Sequence, residues 1–214
     1  MSASALEPLF ELPAPAPSRD APPPVEDGKF GTIIADPPWD YLPTSRQESL
    51  RGYTDRHYEP LSTDELCALP VGDLASDRSV LLLWTTFPFI ADAQRIIAAW
   101  GFEYVTGLAW VKADPRTNVV GYGVGYWFRG AVELVLVGKR RASYRSQWVG
   151  LIHPGLEHSR KPASLHQLAE ATYPGPRLEL FAREQRPGWT TLGDECPGDG
   201  QDIRVSLAAL RKSL

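Results

Sequence analysis

The stretch FGTIIADPPWDY, residues 30–41, joins an apolar run to an acid, two prolines and a tryptophan. Residues 30–35 predict a buried strand, because a short continuous apolar run is typical of a strand that is covered on both faces. Asp36 would then lie at the carboxyl end of that strand. Since ligands bind at this end of the strands in open α/β sheets, the stretch predicts both an α/β fold and a site.

The rest of the chain alternates short apolar runs with helical patterns. Ser62 and Glu65 fit a capping box that opens a short helix. Apolar residues between Ile90 and Trp100 follow helical spacing, and Gly101 would end that helix. Further strands are predicted over residues 79–85, 102–112, 131–139, 177–183 and 189–194, and further helices over 163–174 and 203–214. Apolar strands separated by helices favour a mostly parallel sheet with helices on both faces.

The length of 214 residues is enough for one α/β domain with a full core. Residues 13–27, PAPAPSRDAPPPVED, are rich in proline and acid and can bury little apolar surface. We interpret this segment as a flexible leader, and a docking motif is the alternative. The predicted organisation is therefore a proline-rich leader over residues 1–28 and a single domain over residues 29–214.

Composition excludes several classes of protein. The apolar run SVLLLW is far too short to cross a membrane, and the N-terminus shows no signal-peptide pattern. Two cysteines that lie far apart in the sequence fit a reducing compartment, and the histidines and cysteines show no zinc-like spacing. A net charge of −4 argues against a protein that coats duplex nucleic acid. We expect a soluble cytoplasmic protein without a metal site.

The residues after the first strand suit a particular substrate. A carboxylate can only accept hydrogen bonds, so Asp36 suits a group that presents N–H donors. Pro37 and Pro38 lack an N–H, which leaves their carbonyls as the polar groups of a stiff turn. Trp39 adds a flat stacking surface. Acceptors beside such a surface suit a nucleobase that carries an amino group and has left its stack.

The same residues also indicate a reaction. The exocyclic amine of adenine is a weak nucleophile, because its lone pair is delocalised into the ring. Two acceptors that hold its hydrogens would stabilise the positive charge that develops as the amine attacks an electrophile. An ordinary proline turn with a buried tryptophan and a solvated aspartate is the structural alternative. The position of the whole tetrapeptide at a strand end favours the functional interpretation.

The chain resembles the DPPW-signature adenine methyltransferases in several motifs, which cover most of residues 30–195 in the family's order. These motifs are ADPPWDY, HYEPLSTDEL, LLLWTT, GYWFRGAVELVLVGKR, HSRKP, LELFAR and GWTTLGDE. The resemblance implies a Rossmann-like class I methyltransferase fold in permuted motif order. It also implies S-adenosyl-L-methionine as cofactor and the N6 amine of adenine, in DNA or RNA, as methyl acceptor. The sequence contains no G-x-G-x-x-G fingerprint, so the residues alone do not name the cofactor.

The resemblance also assigns roles to residues of the catalytic motif. Asp36 would bind the target amine and lie near the amino group of the cofactor's methionine moiety. The carbonyl of Pro37, followed by Pro38, would be the second acceptor, and Trp39 would wall the base pocket. Lys161 in HSRKP matches a lysine that pairs with the cofactor's carboxylate, a role that suits a compact point charge.

Further cofactor-binding residues are implied near the C-terminus. Arg183 matches a position near the cofactor's ribose. Asp194 and Glu195 match a pair that contacts the ribose or the adenine of the cofactor, and carboxylates can accept from both. Gln185 stands in a place where some members carry a His-Asn pair, and we include it in the predicted cofactor site.

Candidate substrate-binding residues carry aromatic or basic groups around these motifs. Loop residues are often simply solvated, aromatic residues often fill a core, and basic runs often form an exposed turn. Next to a catalytic crevice, however, such residues would stack on bases or attract phosphates. The candidates are His57, Tyr58, Tyr126, Trp127, Arg129, Lys139, Arg140 and Arg141.

Two other functions stay open from the sequence. The chain could be a non-catalytic partner or binding subunit of a methyltransferase complex. It could also methylate the amine of another base or of a free nucleotide. The intact acid at Asp36 favours an active adenine enzyme, because the family's inactive partners tend to lose that motif. The expected partner is nucleic acid with a single-stranded or flipped adenine. A homodimer or a partner subunit is also possible, because the chain is short for one that carries a separate target-recognition domain.

Overall fold

The computed structural model describes residues 23–40, 60–112, 128, 130–141, 151–152 and 161–214. Most of the predicted leader, residues 1–22, lies outside this part of the chain. The folded part begins with a strand at Phe30, where the sequence predicted it.

A seven-stranded sheet forms the centre of the described structure. Its strands are β1 (Phe30–Ala35), β2 (Ala75–Thr85), β3 (Glu103–Val111), β4 (Val132–Lys139), β5 (Leu151–Ile152), β6 (Arg177–Leu180) and β7 (Thr190–Leu192). They lie in the order β5-β3-β4-β2-β1-β6-β7. Neighbouring strands are parallel except at β4, which runs antiparallel to β2 and β3. The prediction of a mostly parallel α/β sheet is confirmed.

Four of the five described helices lie where the sequence predicted a helix, and the short helix Val71–Leu74 was not predicted. They are α1 (Thr63–Ala68), α2 (Val71–Leu74), α3 (Ile90–Ala99), α4 (Ser164–Thr172) and α5 (Ile203–Ser213), with a 3-10 turn over Phe87–Phe89. The capping box of α1 is present, since Glu65 N donates to Ser62 Oγ at 3.2 Å and Ser62 N donates to the Glu65 carboxylate at 2.9 Å. None of the described helices has the length and apolar character needed to span a bilayer.

Alternate side chains of the central strands fill two separate cores. Ile33 and Leu81 pack on one face of the sheet in a cluster with residues of α1, α2, α3 and α5. Ile34, Leu82 and Trp84 pack on the other face in a cluster with residues of α4. Because side chains alternate along a strand, apolar residues at every position need helices on both faces.

The sheet order brings distant parts of the chain to one edge. Ala35, the last residue of β1, pairs with Leu83 of β2 and with Leu180 of β6. The segments that follow these three strands therefore meet at their carboxyl ends. β6 and β7 come late in the chain but lie beside β1, which agrees with the permuted order that the resemblance implied.

Candidate active site

The DPPW tetrapeptide forms a tight turn at the end of β1. Trp39 N donates to the Pro37 carbonyl at 2.9 Å, and Leu61 N donates to the Pro38 carbonyl at 3.1 Å. These bonds tie the turn to itself and to the residues that precede α1. A carbonyl oxygen has two lone pairs, so the Pro37 oxygen retains capacity for a second donor.

Trp39 belongs to the core and to the wall of a cavity at once. Its ring stacks on that of Phe89 with centroids 5.0 Å apart and an interplanar angle of 19°. The side chain is buried, and its Nε1 finds no hydrogen-bond partner among the described residues. The ring also borders the cavity into which the turn faces. This packing fixes the orientation of the ring before any ligand binds.

A chain of alternating charges crosses the cavity beside the turn. Lys161 Nζ lies 3.0 Å from Asp36 Oδ2 and 3.0 Å from Glu133 Oε2. Lys112 Nζ forms an ion pair with the other oxygen of the same glutamate. The Lys161 ammonium also lies over the Trp84 ring, 5.1 Å from its centroid. Two carboxylates and two ammonium groups thus compensate one another in a partly buried site.

The surrounding charges keep Lys161 and Glu133 ionised. Burial by itself lowers the pKa of Lys161, but the charges of Asp36 and Glu133 outweigh burial and raise it well above its ordinary value. Burial by itself raises the pKa of Glu133, but the charge of Lys161 and a hydrogen bond from Lys112 lower it below its ordinary value. At neutral pH, Lys161 is therefore protonated and Glu133 is a carboxylate.

A second set of charged residues follows β6 and β7. Arg183 Nε lies 3.1 Å from Glu195 Oε2, and Asp194 Oδ1 accepts from Glu195 N at 2.9 Å. Phe181 precedes them with a φ of 60°, which is strained for a bulky side chain and is often found at functional sites. These residues all border the same cavity as Asp36.

The cavity has a volume of about 350 Å³, within the usual range for small-molecule sites. Its donors and acceptors suit the cofactor that the resemblance implied. Lys161 and Arg183 can bind a carboxylate, while carboxylates on both sides can accept from an amino group or from ribose hydroxyls. Further residues of the wall are Leu61, Thr85, Thr86, Asp202, Ile203 and Arg204.

Comparison with known families agrees with this geometry. The MT-A70 family matches residues 30–195, which include both sets of charged residues.

The chain belongs to the MT-A70 family.

Individual MT-A70 relatives fall into two groups by length. A Medicago truncatula protein named putative N(6)-adenosine-methyltransferase MT-A70-like is 29% identical over 178 residues, which are 80% of this chain and 27% of the relative. The human N(6)-adenosine-methyltransferase catalytic subunit METTL3 is 30% identical over 179 residues, 80% of this chain and 29% of the relative. The chain thus spans less than a third of these long relatives. The type II methyltransferase M.MunI of Mycoplasma sp. is 30% identical over 198 residues, 82% of this chain and 81% of that enzyme.

Sequence reasoning missed Glu133 and Lys112, the two residues that complete the ion-pair network beside Asp36 and Lys161 in this MT-A70 site. Glu133 lies at the start of β4 and Lys112 directly follows β3, and both border the cavity. A signal was available, because the run AVELVLVGK places an acid inside an apolar strand. A buried charge needs a partner of opposite sign, so this acid predicts an ion pair or a site.

Gln185 is not among the described residues that line the MT-A70 cavity. Its side chain is exposed and its amide lies against Gly198, where a Cβ would collide with Gln185 Nε2. The cofactor contact predicted for Gln185 therefore has no support in this placement.

The basic cluster of Lys139, Arg140 and Arg141 lies away from the MT-A70 cavity, which corrects the expectation that it borders the crevice. β4 is antiparallel to β2, so its first residues reach the ligand edge of the sheet and Lys139 pairs with Val80 toward the opposite edge. At a rise of roughly 3.3 Å per residue, Lys139 is about 20 Å along the strand from Glu133. The sequence pattern could not show this, because it does not reveal the direction of a strand.

Arg140 binds the protein's own backbone. Its guanidinium donates to the carbonyls of Gly72, Ala75, Trp100 and Gly101 at 2.8–3.1 Å. These carbonyls lie around the C-terminal ends of α2 and α3, where helices leave acceptors unpaired. In this arrangement Arg140 stabilises the fold.

The other predicted substrate contacts lie outside the described residues. They are His57, Tyr58, Tyr126, Trp127 and Arg129.

Proposed function

We propose that this protein transfers a methyl group from S-adenosyl-L-methionine to the N6 amine of adenine in DNA or RNA. The observation that carries the proposal is the position of Asp36. It lies at the carboxyl end of β1, borders the cavity and pairs with Lys161 at 3.0 Å. Membership of the MT-A70 family and the names of the matched relatives support the same activity.

Residues on both sides of the cavity suit the cofactor. S-adenosyl-L-methionine supplies an electrophilic methyl group on a sulfonium centre. Lys161 would hold its carboxylate and Asp36 would accept from its amino group. Arg183, Asp194 and Glu195 would bind the ribose and adenine through hydrogen bonds and charge.

The DPPW turn would bind the adenine amine, which receives the methyl group. The Asp36 carboxylate and the Pro37 carbonyl accept from the two hydrogens of the adenine amine, and Trp39 walls the base. As the amine nitrogen formed a bond to the methyl carbon, the carbon–sulfur bond would break and the nitrogen would become positive. Acceptors already in place stabilise that charge, and the surplus proton leaves to solvent. A strong base is not needed, because the methylated amine is acidic until it loses this proton.

Two alternatives predict other outcomes. A non-catalytic partner subunit would bind nucleic acid or the cofactor without turnover. An enzyme for another amine would methylate cytosine or a free nucleotide. The intact pair of Asp36 and Lys161 favours catalysis, and the adenosine-methyltransferase names among the relatives favour adenine.

The test uses the full chain with methyl-labelled S-adenosyl-L-methionine. Single-stranded DNA, duplex DNA, RNA and free nucleotides are each incubated with the protein and digested to nucleosides. We expect label in N6-methyladenosine or its deoxy form, with the best yield on single-stranded substrates. Label in cytosine or in free nucleotides alone would support the second alternative. An absence of transfer together with an absence of cofactor binding in calorimetry would overturn the proposal.

We also infer that the protein works in the cytoplasm on nucleic acid, alone, as a homodimer or with a partner subunit. Support comes from the free thiols of Cys67 and Cys196, which suit a reducing compartment. Cell fractionation tests the location, and light scattering with and without an oligonucleotide tests the assembly.

A further inference from the structure

Gly193 joins β7 to two charged residues of the cavity, Asp194 and Glu195. Its backbone packs against the residues just after β6 so closely that a Cβ would collide with the Ala182 carbonyl and lie 2.8 Å from Ala182 N. The position of this glycine therefore sets where the two carboxylates that follow it enter the cavity.

A turn beyond Glu195 binds both polar atoms of Gly193. Gly193 N donates to Asp199 Oδ2 at 2.7 Å. The Gly193 carbonyl accepts from Cys196 N at 3.1 Å and from Gly200 N at 3.2 Å. Because Gly193 is buried, water does not readily replace these partners.

Asp199 is in turn held by the C-terminal helix. Ser206 Oγ of α5 lies 2.8 Å from each oxygen of the Asp199 carboxylate, and Ser206 is 3% exposed. The first turn of α5 also reaches the cavity, since Ile203 borders it and is buried in the core. A continuous set of contacts thus runs from α5 through Asp199 to Gly193.

Asp199, Gly200 and Ser206 lie outside the segment that matches the MT-A70 family, because the family match ends at residue 195. We propose that Asp199 is a positioning residue for the cofactor site, and that Ser206 holds Asp199 in place. The proposal rests on the function proposed above. Asp199 binds no ligand itself; it orients the peptide that aims Asp194 and Glu195 at the ribose and adenine of the cofactor.

Three variants separate this role from general stability. Asp199→Ala removes the acceptor of Gly193 N, and Ser206→Ala removes the anchor of Asp199. Asp199→Asn keeps the shape, because its amide oxygen can accept from Gly193 N while its amide nitrogen donates to Ser206 Oγ. Asp77→Ala is a matched control, since Asp77 is exposed and pairs with Arg141 at the opposite edge of the sheet.

The measurements are the Kd for S-adenosylhomocysteine by calorimetry, the KM for S-adenosyl-L-methionine, kcat at saturation and the unfolding temperature without ligand. For Asp199→Ala we expect Kd and KM to rise about tenfold while kcat changes less than about twofold. Ser206→Ala should show a smaller rise in the same direction. Asp199→Asn should stay within about threefold of the wild-type Kd, and Asp77→Ala should match the wild type.

The outcomes distinguish this inference from the proposed function. A wild-type chain that binds neither S-adenosyl-L-methionine nor its product analogue refutes both. A wild-type chain that binds, with an Asp199→Ala variant of equal Kd, refutes the positioning role alone, whatever its unfolding temperature. If Asp199→Ala does not fold, Ser206→Ala decides the matter, and a wild-type Kd in that variant overturns the proposal.

Discussion

Lys161 Nζ lies 3.0 Å from Asp36 Oδ2, so a lysine from the second half of the chain forms an ion pair with the acid at the end of the first strand. Both side chains are about a quarter exposed, at 24% and 27%. The pair is thus accessible from the cavity while being partly desolvated. A ligand with a carboxylate and an amino group can bind Lys161 through its carboxylate and Asp36 through its amino group, so neither charge of the pair is left uncompensated.

The first prediction concerns Asp36. Asp36→Asn keeps the size of the side chain but replaces one acceptor oxygen with a donor, so it should cut methyl transfer by about 100-fold or more. Asp36→Ala should abolish detectable transfer and keep the fold. Single-turnover rates with labelled cofactor measure the effect, and circular dichroism checks the fold. Transfer at the wild-type rate in either variant would refute the role of Asp36.

The second prediction concerns Glu133. Glu133→Gln leaves Lys112 and Lys161 with an uncharged neighbour in a partly buried site. We expect the free energy of unfolding to fall by about 2–4 kcal/mol, slightly below the range for breaking a fully buried pair. Urea denaturation measures it. Glu103→Gln is the control, because Glu103 is an exposed partner of Lys139 and should change stability little.

The third prediction concerns pH. The folded-state pKa of Glu133 is below its ordinary value, so the unfolded chain takes up this proton at a higher pH than the folded chain. Its contribution to stability is fully present well above the ordinary value of 4.5 and is lost as the pH falls through the lower folded pKa. The free energy of unfolding should therefore fall less steeply on acidification in Glu133→Gln than in the wild type. Equal slopes in denaturation series at several acidic pH values would contradict this.

The fourth prediction concerns Arg140. Arg140→Ala removes the donors of four backbone carbonyls and should lower the free energy of unfolding by roughly 1–3 kcal/mol. Because Arg140 lies away from the cavity, the Kd for S-adenosylhomocysteine and the salt dependence of oligonucleotide binding should stay unchanged. Lys139→Ala is the neighbouring control for stability. A weaker salt dependence in Arg140→Ala would restore the phosphate-binding role that the sequence suggested.

The fifth prediction concerns Gly193. A methyl group at this position collides with the backbone of Ala182, which cannot rotate away as a side chain could. Gly193→Ala should cost more than about 2 kcal/mol of stability. Gly130→Ala is the matched control, because no atom of the described residues lies within 4 Å of a Cβ there. Its free energy of unfolding should stay within about 0.5 kcal/mol of the wild type.

The sequence predicted those parts of the molecule that depend on local rules. The capping box at Ser62 and Glu65, the strand over residues 30–35 and the end of α3 near Gly101 depend on neighbours within a few positions. The strand over residues 30–35 also predicted that Asp36 borders a site, since ligands bind at the carboxyl ends of the strands in such sheets. Lys161, Arg183, Asp194 and Glu195 were implied by the resemblance, and all four border the cavity.

Features that depend on long-range pairing were not predictable in the same way. The direction of β4 is decided by its pairing with β2 and β3, and that direction places Glu133 in the site and Lys139 far from it. Arg140 looked like part of an exposed basic turn, because a sequence does not show which carbonyls come within reach. Gln185 was placed by resemblance alone, and its contact with Gly198 depends on a turn that the pattern does not reveal.

The two ends of the antiparallel strand β4, which has 8 residues, contribute to different properties of the protein. One end of it contributes the Glu133 carboxylate to the cavity, and just beyond its other end Arg140 donates to backbone carbonyls around the ends of α2 and α3. Substitutions near the two ends of this strand can therefore change the affinity for a ligand of the cavity and the stability of the fold separately. Substitutions beside Arg140 can raise stability at a distance of about 20 Å along the strand from the Glu133 carboxylate of the cavity.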